Sequence, residues 1–172
     1  GAEANDFIVY TNNTEKVRIT SAGLVGIGTD DPSWGVSTGL IVGDGASAKG
    51  ITIFSNSANV GDLAFADATS GTARYRGLIR YDHSDNSLAL RTNSSERLRI
   101  TSAGQIGIGA ASPVTDVDIS QKTGAVALPQ GTTAQRPTGS APYIRKNTTN
   151  NALEYYDGTS WVEIITDYFP TG

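Results

Sequence analysis

The sequence predicts an all-β protein, and three observations carry that prediction. Ile, Val and Thr together number 44 of the 172 residues, against 9 Leu and no Met. Branching at Cβ favours pleated strands over helices. Gly, with 20 residues, punctuates short apolar runs. Through several of those runs apolar and polar residues alternate with a period of two, the signature of half-buried strands. No segment has convincing helical periodicity, so a helical bundle and a coiled coil are excluded. The absence of Cys excludes a disulfide scaffold.

A duplication organises the elements. Residues 14–32, TEKVRITSAGLVGIGTDDP, match residues 95–113, SERLRITSAGQIGIGAASP, at 11 of 19 positions with an offset of 81. Upstream, FIVYTNN at 7–13 faces LALRTNS at 88–94. Two copies are too few for a solenoid, so this is a duplicated building block. Each copy reads as strand, tight turn, strand, turn, strand. In the first, Phe7 and Val9 alternate with Ile8 and Tyr10, Asn12-Asn13-Thr14 turns the chain, and Val17 and Ile19 alternate with Lys16 and Arg18. One face is then apolar and the other charged and solvated. Gly23 allows the next turn a positive φ. Val25 and Ile27 point one way and Gly26 and Gly28 the other. A face of glycine lets another backbone come close, and a second copy of the chain is one such neighbour. Pro32 and Pro113 end the unit.

Between the copies, residues 39–43, 50–55, 62–66 and 73–81 read as short strands. Residues 68–71 and 82–87 read as hairpin turns, and 35–50 as a Gly-, Ser- and Ala-rich loop around one strand. After Pro113, residues 114–119 and 124–128 are weak strands. Residues 129–142, PQGTTAQRPTGSAP, hold three Pro and two Gly and read as an extended connector. Three strands at 143–146, 152–156 and 161–166, with turns at 147–151 and 157–160, form a closing β-meander.

The core formers Leu, Ile, Val and Phe make up 37 of 172 residues. That lies just above the range in which disorder sets in, and a net charge of −4 gives little electrostatic expansion. The core is thin for the length and has no Cys to staple it, so burial is expected to be completed by other copies. With 13 basic residues scattered among 17 acidic ones, no clustered positive surface offers itself to nucleic acid. No apolar run approaches the ~20 residues needed to span a bilayer, so no membrane insertion is expected. The opening GAEANDF has neither the basic nor the apolar region of a secretory leader.

These strings carry a resemblance. ERLRITSAGQIGIG at 96–109, preceded by GDLAFADATSGTARYRGLIRYDHSDNSLALRTNS at 61–94, resembles the shaft repeats of phage tail-fibre proteins and related virion appendages. LPQGTTAQRPTGSAPYIRKNTTNNALEYYDGTSWVEI at 128–164 is similar to another block of such proteins, in which a P-x-G-T-T-A-Q-R-P stretch precedes a short meander ending in Y-D-G-x-x-W. The resemblance implies an elongated, intertwined homotrimer on a virion, with partners that are further copies of itself, other virion proteins and a host surface glycan or protein. It divides the chain into a first shaft repeat (1–36), an intervening β segment (37–87), a second shaft repeat (88–113), weak strands and connector (114–141) and the C-terminal meander (142–172). Many relatives continue into a chaperone domain that cleaves itself off with a Ser/Lys pair. None follows the meander here, so the expectation is either a fragment or a meander that itself trimerises. The implied function is a viral structural fibre that positions or performs host-cell attachment. The alternatives are a component of a polysaccharide-degrading tail spike and a non-viral surface adhesin module.

The chemistry-bearing residues are few. His83 is the only His and there is no Cys, so a nucleophilic triad would have to use His83, which reads as an exposed turn residue. On a threefold axis, three copies of His83 could hold a transition metal; otherwise no metal and no cofactor is expected. Asp30/Asp31, Asp116/Asp118 and Glu154/Asp157 are carboxylate pairs of the kind that hydrolyses glycans. Asp30/Asp31 reads better as a turn, and Asp116/Asp118 as the solvated face of a strand. No catalytic residue is expected. Gly26-Ile27-Gly28 and Gly43-Asp44-Gly45 complete no dinucleotide loop and open no helix. Tyr143, Tyr155, Tyr156 and Trp161 gather in the meander, followed by Tyr168 and Phe169. Flat rings suit both packing and sugar faces. Tyr155 and Tyr156 are adjacent on a strand and point to opposite faces. Arg74, Arg76 and Arg80 lie along one strand pattern, suited either to solvent and Asp pairing or to an anionic glycan. The candidate receptor contacts are Tyr155, Tyr156, Trp161 and Arg76.

Overall fold

A computed structural model describes residues 5–34, 39–139 and 142–164. They are all-β, with strands and three short 3₁₀ turns. The chain divides into two units, Gly1–Leu88 and Ala89–Gly172. Among the described residues, no helix is long and apolar enough to cross a membrane.

In the first unit, β1 (Phe7–Thr11), β2 (Thr14–Ile19), β3 (Val25–Ile27) and β4 (Leu40–Val42) form one sheet in that order. The first three are antiparallel, and β4 runs parallel to β3. Asn12 and Asn13 sit at φ 49° and 57°, the left-handed pair that a two-residue hairpin turn requires and that Asn tolerates. Val9 faces Val17 but Tyr10 faces Glu15, so Lys16 is left over as a β-bulge. The bulge turns Glu15 toward Arg18. β5 (Val60–Phe65) and β6 (Gly77–Asp82) pair antiparallel.

In the second unit, β7 (Ser87–Thr92, across the unit boundary), β8 (Ser95–Ile100), β9 (Ile106–Ile108) and β10 (Val117–Asp118) follow one another in sheet order. The duplication holds to the residue: Arg18 faces Gly26, and Arg99 faces Gly107. It also extends past the matching sequence, because β10 runs parallel to β9 as β4 does to β3. β11 (Gln130–Gly131), β12 (Tyr143–Asn147), β13 (Ala152–Tyr156) and β14 (Trp161–Glu163) form the last sheet. Its three antiparallel strands are the expected meander, with 165 and 166 outside the described residues.

Several expected elements differ. Residues 50–55 and 124–128 form no strand, because no ladder partner reaches them within the described chain. The strand expected over 73–81 starts only at Gly77. Phe65, the last residue of β5, pairs with Gly77, so Gly71–Tyr75 lies past the ladder and winds into a 3₁₀ turn instead. The strand expected over 114–119 shrinks to Val117–Asp118. The connector is more than a connector: β11 pairs with β12, and Thr133–Gln135 forms a 3₁₀ turn closed by a Thr132/Gln135 capping box.

The largest departure concerns which face is inside. Paired residues of neighbouring strands share a face. In the first sheet, one face carries Phe7, Ile19, Val25, Ile27 and Leu40; the other carries Arg18, Gly26 and Ile41. Phe7 is 62% exposed, Ile27 42% and Leu40 56%, whereas Arg18 is 7% and Ile41 8% exposed. The charged face is inside because the segment after β3 folds back over it. A Cβ on Gly26 would lie 2.8 Å from the Thr29 carbonyl oxygen and 3.4 Å from Pro32 Cβ. In the second copy a Cβ on Gly107 would overlap the Ala110 carbonyl oxygen. The close neighbour of Gly26 is therefore the chain's own backbone, whereas a Cβ on Gly28 would meet nothing within 4 Å.

The same inversion runs through the molecule. Among the described residues, the buried apolar side chains are Ile41, Leu78, Ala89 and Ala110 with Pro32 and Pro113, while Arg18, Ser87, Asp118, Arg145, Asn147 and Glu154 are buried polar ones. The chain exposes 12,423 Å². A compact monomer of 17.9 kDa exposes about 8,000 Å², and two separate units of half that mass about 9,700 Å².

Candidate functional site

The densest gathering of aromatic and charged side chains is in the C-terminal sheet. Register puts Tyr143 opposite Tyr156, and Tyr156 opposite Trp161, on one face. Their ring centroids lie 5.4–6.2 Å apart. Arg136 and Arg145 place their guanidinium carbons 5.4 and 5.9 Å from the centre of the Trp161 ring, within cation–π range.

On the same face lies Glu154, fully buried. Arg136 donates to it from Nη2 at 2.6 Å and Nε at 3.3 Å. Arg145 Nε stands 3.5 Å away, and Asn147 Nδ2 donates at 2.9 Å. The Arg136 hydrogen bonds outweigh burial and hold the carboxyl below its usual range. A carboxylate held this way stays ionised near neutral pH and is no general acid there. Arg145 reaches the lid as well, donating from Nη1 to the Gln135 carbonyl at 2.8 Å and from Nη2 to the Thr132 carbonyl at 3.3 Å. A Cβ on Gly131 would come 2.7 Å from Arg145 Nη2 and 3.0 Å from Gln135 Oε1, so a larger residue there would have to displace the guanidinium. Segment 129–136 is thus a lid over an ionic interior.

The structure separates the four expected contact residues. Tyr156 and Trp161 belong to the ring stack. Tyr155 is on the opposite face, 39% exposed, beside Ile144 at 49%. Arg76 belongs to the first unit, where its Nε stands 3.4 Å from Asp67. Tyr168 and Phe169 lie outside the described residues. The expected arginine stripe is not one face of one strand: Arg74 is in the 3₁₀ turn, Arg76 caps it, and Arg80 in β6 is clamped bidentate on Asp62 at 2.7 and 2.8 Å.

His83 sits in a turn, as expected, but is half-buried rather than exposed. Its ring meets Tyr81 edge to face at 4.9 Å. Among the described residues, no three or more His, Asp or Glu side chains converge as a metal site. Asp31 accepts from Ser33 N at 3.0 Å, as a turn-forming Asp does. Asp118, expected on a solvated face, is 4% exposed. It accepts from Val114 N at 3.0 Å and from Ser120 N and Oγ at 2.8 and 2.7 Å, which lowers its pKa, Ser120 contributing most. Asp157 accepts from Thr159 N at 2.7 Å and Ser160 N at 2.8 Å and closes the last turn. Each of these carboxylates is engaged in shaping the backbone.

Sequence reasoning missed the ionic lid. Thr132-x-x-Gln135 was a readable signal, since that spacing is a capping box. Nothing local in the sequence linked Arg136 to Glu154. Comparison with known proteins found no matching family model and no matching curated sequence.

Proposed function

We propose that the chain is a structural fibre protein of a virion that assembles as a homotrimer and positions or performs attachment to a host cell. The observation that carries this reading is the inversion of the sheets: in the single chain charge is inside, and Phe7, Leu40, Ile144 and Tyr155 face solvent. Apolar surface of this extent marks an interaction site. The chain exposes about 2,700 Å² more than two compact units of its mass would, which is on the scale of an obligate interface. Other copies of the chain are the partners that would cover every sheet at once. The fibre-like strings at 61–109 and 128–164 supply the virion context and the number three. Three identical tips bind multivalently, so weak contacts to a host surface glycan or protein sum to firm attachment.

The attachment arm of the reading is tested with fluorescently labelled protein on a panel of bacterial cells. Saturable binding that unlabelled protein competes away is the expected result. An assembled protein that binds no cell in the panel would reduce the role to that of a shaft.

A further inference from the structure

Residues 50–55, GITIFS, have the composition of a strand and none of its bonds. Among the described residues, no backbone–backbone hydrogen bond involves any of them. Ile51 and Ile53 both line a cleft of about 290 Å³ over Leu63 and Ile79 of the β5–β6 hairpin, alternating as strand residues do. Phe54 is 93% exposed, and the buried Ser55 Oγ has no hydrogen-bond partner. Unpaired backbone next to apolar surface is a template for another strand. The second unit has another unpaired segment. After the parallel strand β10, residues 124–128 also make no backbone–backbone bond, and Val126 is 58% exposed.

Resting on the self-assembly reading above, we propose that residues 50–55 are an interchain strand, pairing with a sheet edge of a second copy. The pairing satisfies the free amides and carbonyls of the segment, and Phe54 enters the apolar surface of that second copy. A second copy is the occupant because the excess exposed area matches what an obligate interface covers. Repeated around an axis, the contact is head-to-tail and closes into a ring.

Hydrogen exchange on the full chain tests this, read by mass spectrometry on peptides covering 50–55, together with the mass in solution. If the protein assembles and these amides exchange at least about 100-fold slower than free peptide, the proposal holds. If it assembles and they exchange freely, the interchain strand is wrong and self-assembly stands. If it stays monomeric, both fall. Thr52→Pro adds an independent check, because Thr52 is exposed and outside every ladder, so the variant removes a donor without touching the chain's own sheets. Its expected effect is an assembly at least about tenfold weaker; unchanged assembly would overturn the proposal.

Discussion

The first repeat sheet and the C-terminal sheet both place charge inside, the C-terminal one together with its ring stack, but they hold the charge differently. In the repeat, the ion pair is local: Arg18 Nε and Nη2 donate to Glu15, three residues away, both at 2.7 Å, and Arg18 Nη1 adds Asp6 at 2.6 Å. The Glu15 hydrogen bond is the main cause of the raised Arg18 pKa. Because the clamp is written within one strand, duplication copied it: Arg99 donates to Glu96 at 2.8 and 2.9 Å. In the C-terminal sheet the pair is non-local. Glu154 meets Arg136 from the lid, 18 residues upstream, and Arg145 from the neighbouring strand. A local clamp shapes one strand, whereas the non-local one ties the 129–136 segment to the sheet.

The sharpest way to break that contrast is Glu154→Ala. It leaves Arg145 buried and Arg136 half-buried beside an empty site, and removing one member of a buried pair costs about 3 kcal/mol or more. Urea denaturation should show that loss, together with faster cleavage within residues 129–136 by a protease of broad specificity as the lid loosens. Next come the glycines that let the chain fold over each charged face. Gly107→Ala is expected to cost about 2–3 kcal/mol and Gly26→Ala about 1–2 kcal/mol, in that order because the Ala110 carbonyl crowds Gly107 more than the Thr29 carbonyl crowds Gly26. Equal costs in thermal melts would mean that the two copies relax alike.

Acid acts more mildly than deletion, since a protonated Glu154 keeps part of its hydrogen bonding. The folded-state pKa of Glu154 lies below its unfolded value. Its contribution is therefore complete above the ordinary Glu value, about 4.3, and is lost as pH falls through the lower folded value. The C-terminal sheet should become less stable over that acid range, and Glu154→Gln should flatten this part of the profile. The smallest effect belongs to the local clamp. Glu96→Gln is expected to cost less than about 1 kcal/mol, and a loss comparable with that of Glu154→Ala would erase the distinction between the two sheets.

What was legible in the sequence follows the same division. Local signals are legible: the Asn12-Asn13 turn, the strand–turn–strand order of both repeats and the three-strand meander all rest on neighbours within a few residues. Non-local outcomes are not. Period-two alternation in 16–19 shows that Arg18 and Ile19 face opposite ways, but not which way is inward. That was decided by the return of residues 29–32 over Gly26, which no local pattern encodes. Tyr155 and Tyr156 were correctly assigned to opposite faces, yet which of them would join Trp161 depended on the register with β14. Residues 50–55 and 124–128 read as strands and form none in the single chain, which fits strands whose partners lie in another copy.

The most direct test of the central claim is the mass of the purified chain in solution, measured by light scattering at low concentration and again after warming in detergent. The proposed homotrimer, with apolar faces covered by further copies, predicts a mass near three times the 17.9 kDa of the chain, persisting in detergent. A stable monomer at every concentration would contradict it, and would mean that these sheets keep their charge inside and their apolar faces in water with no partner to cover them.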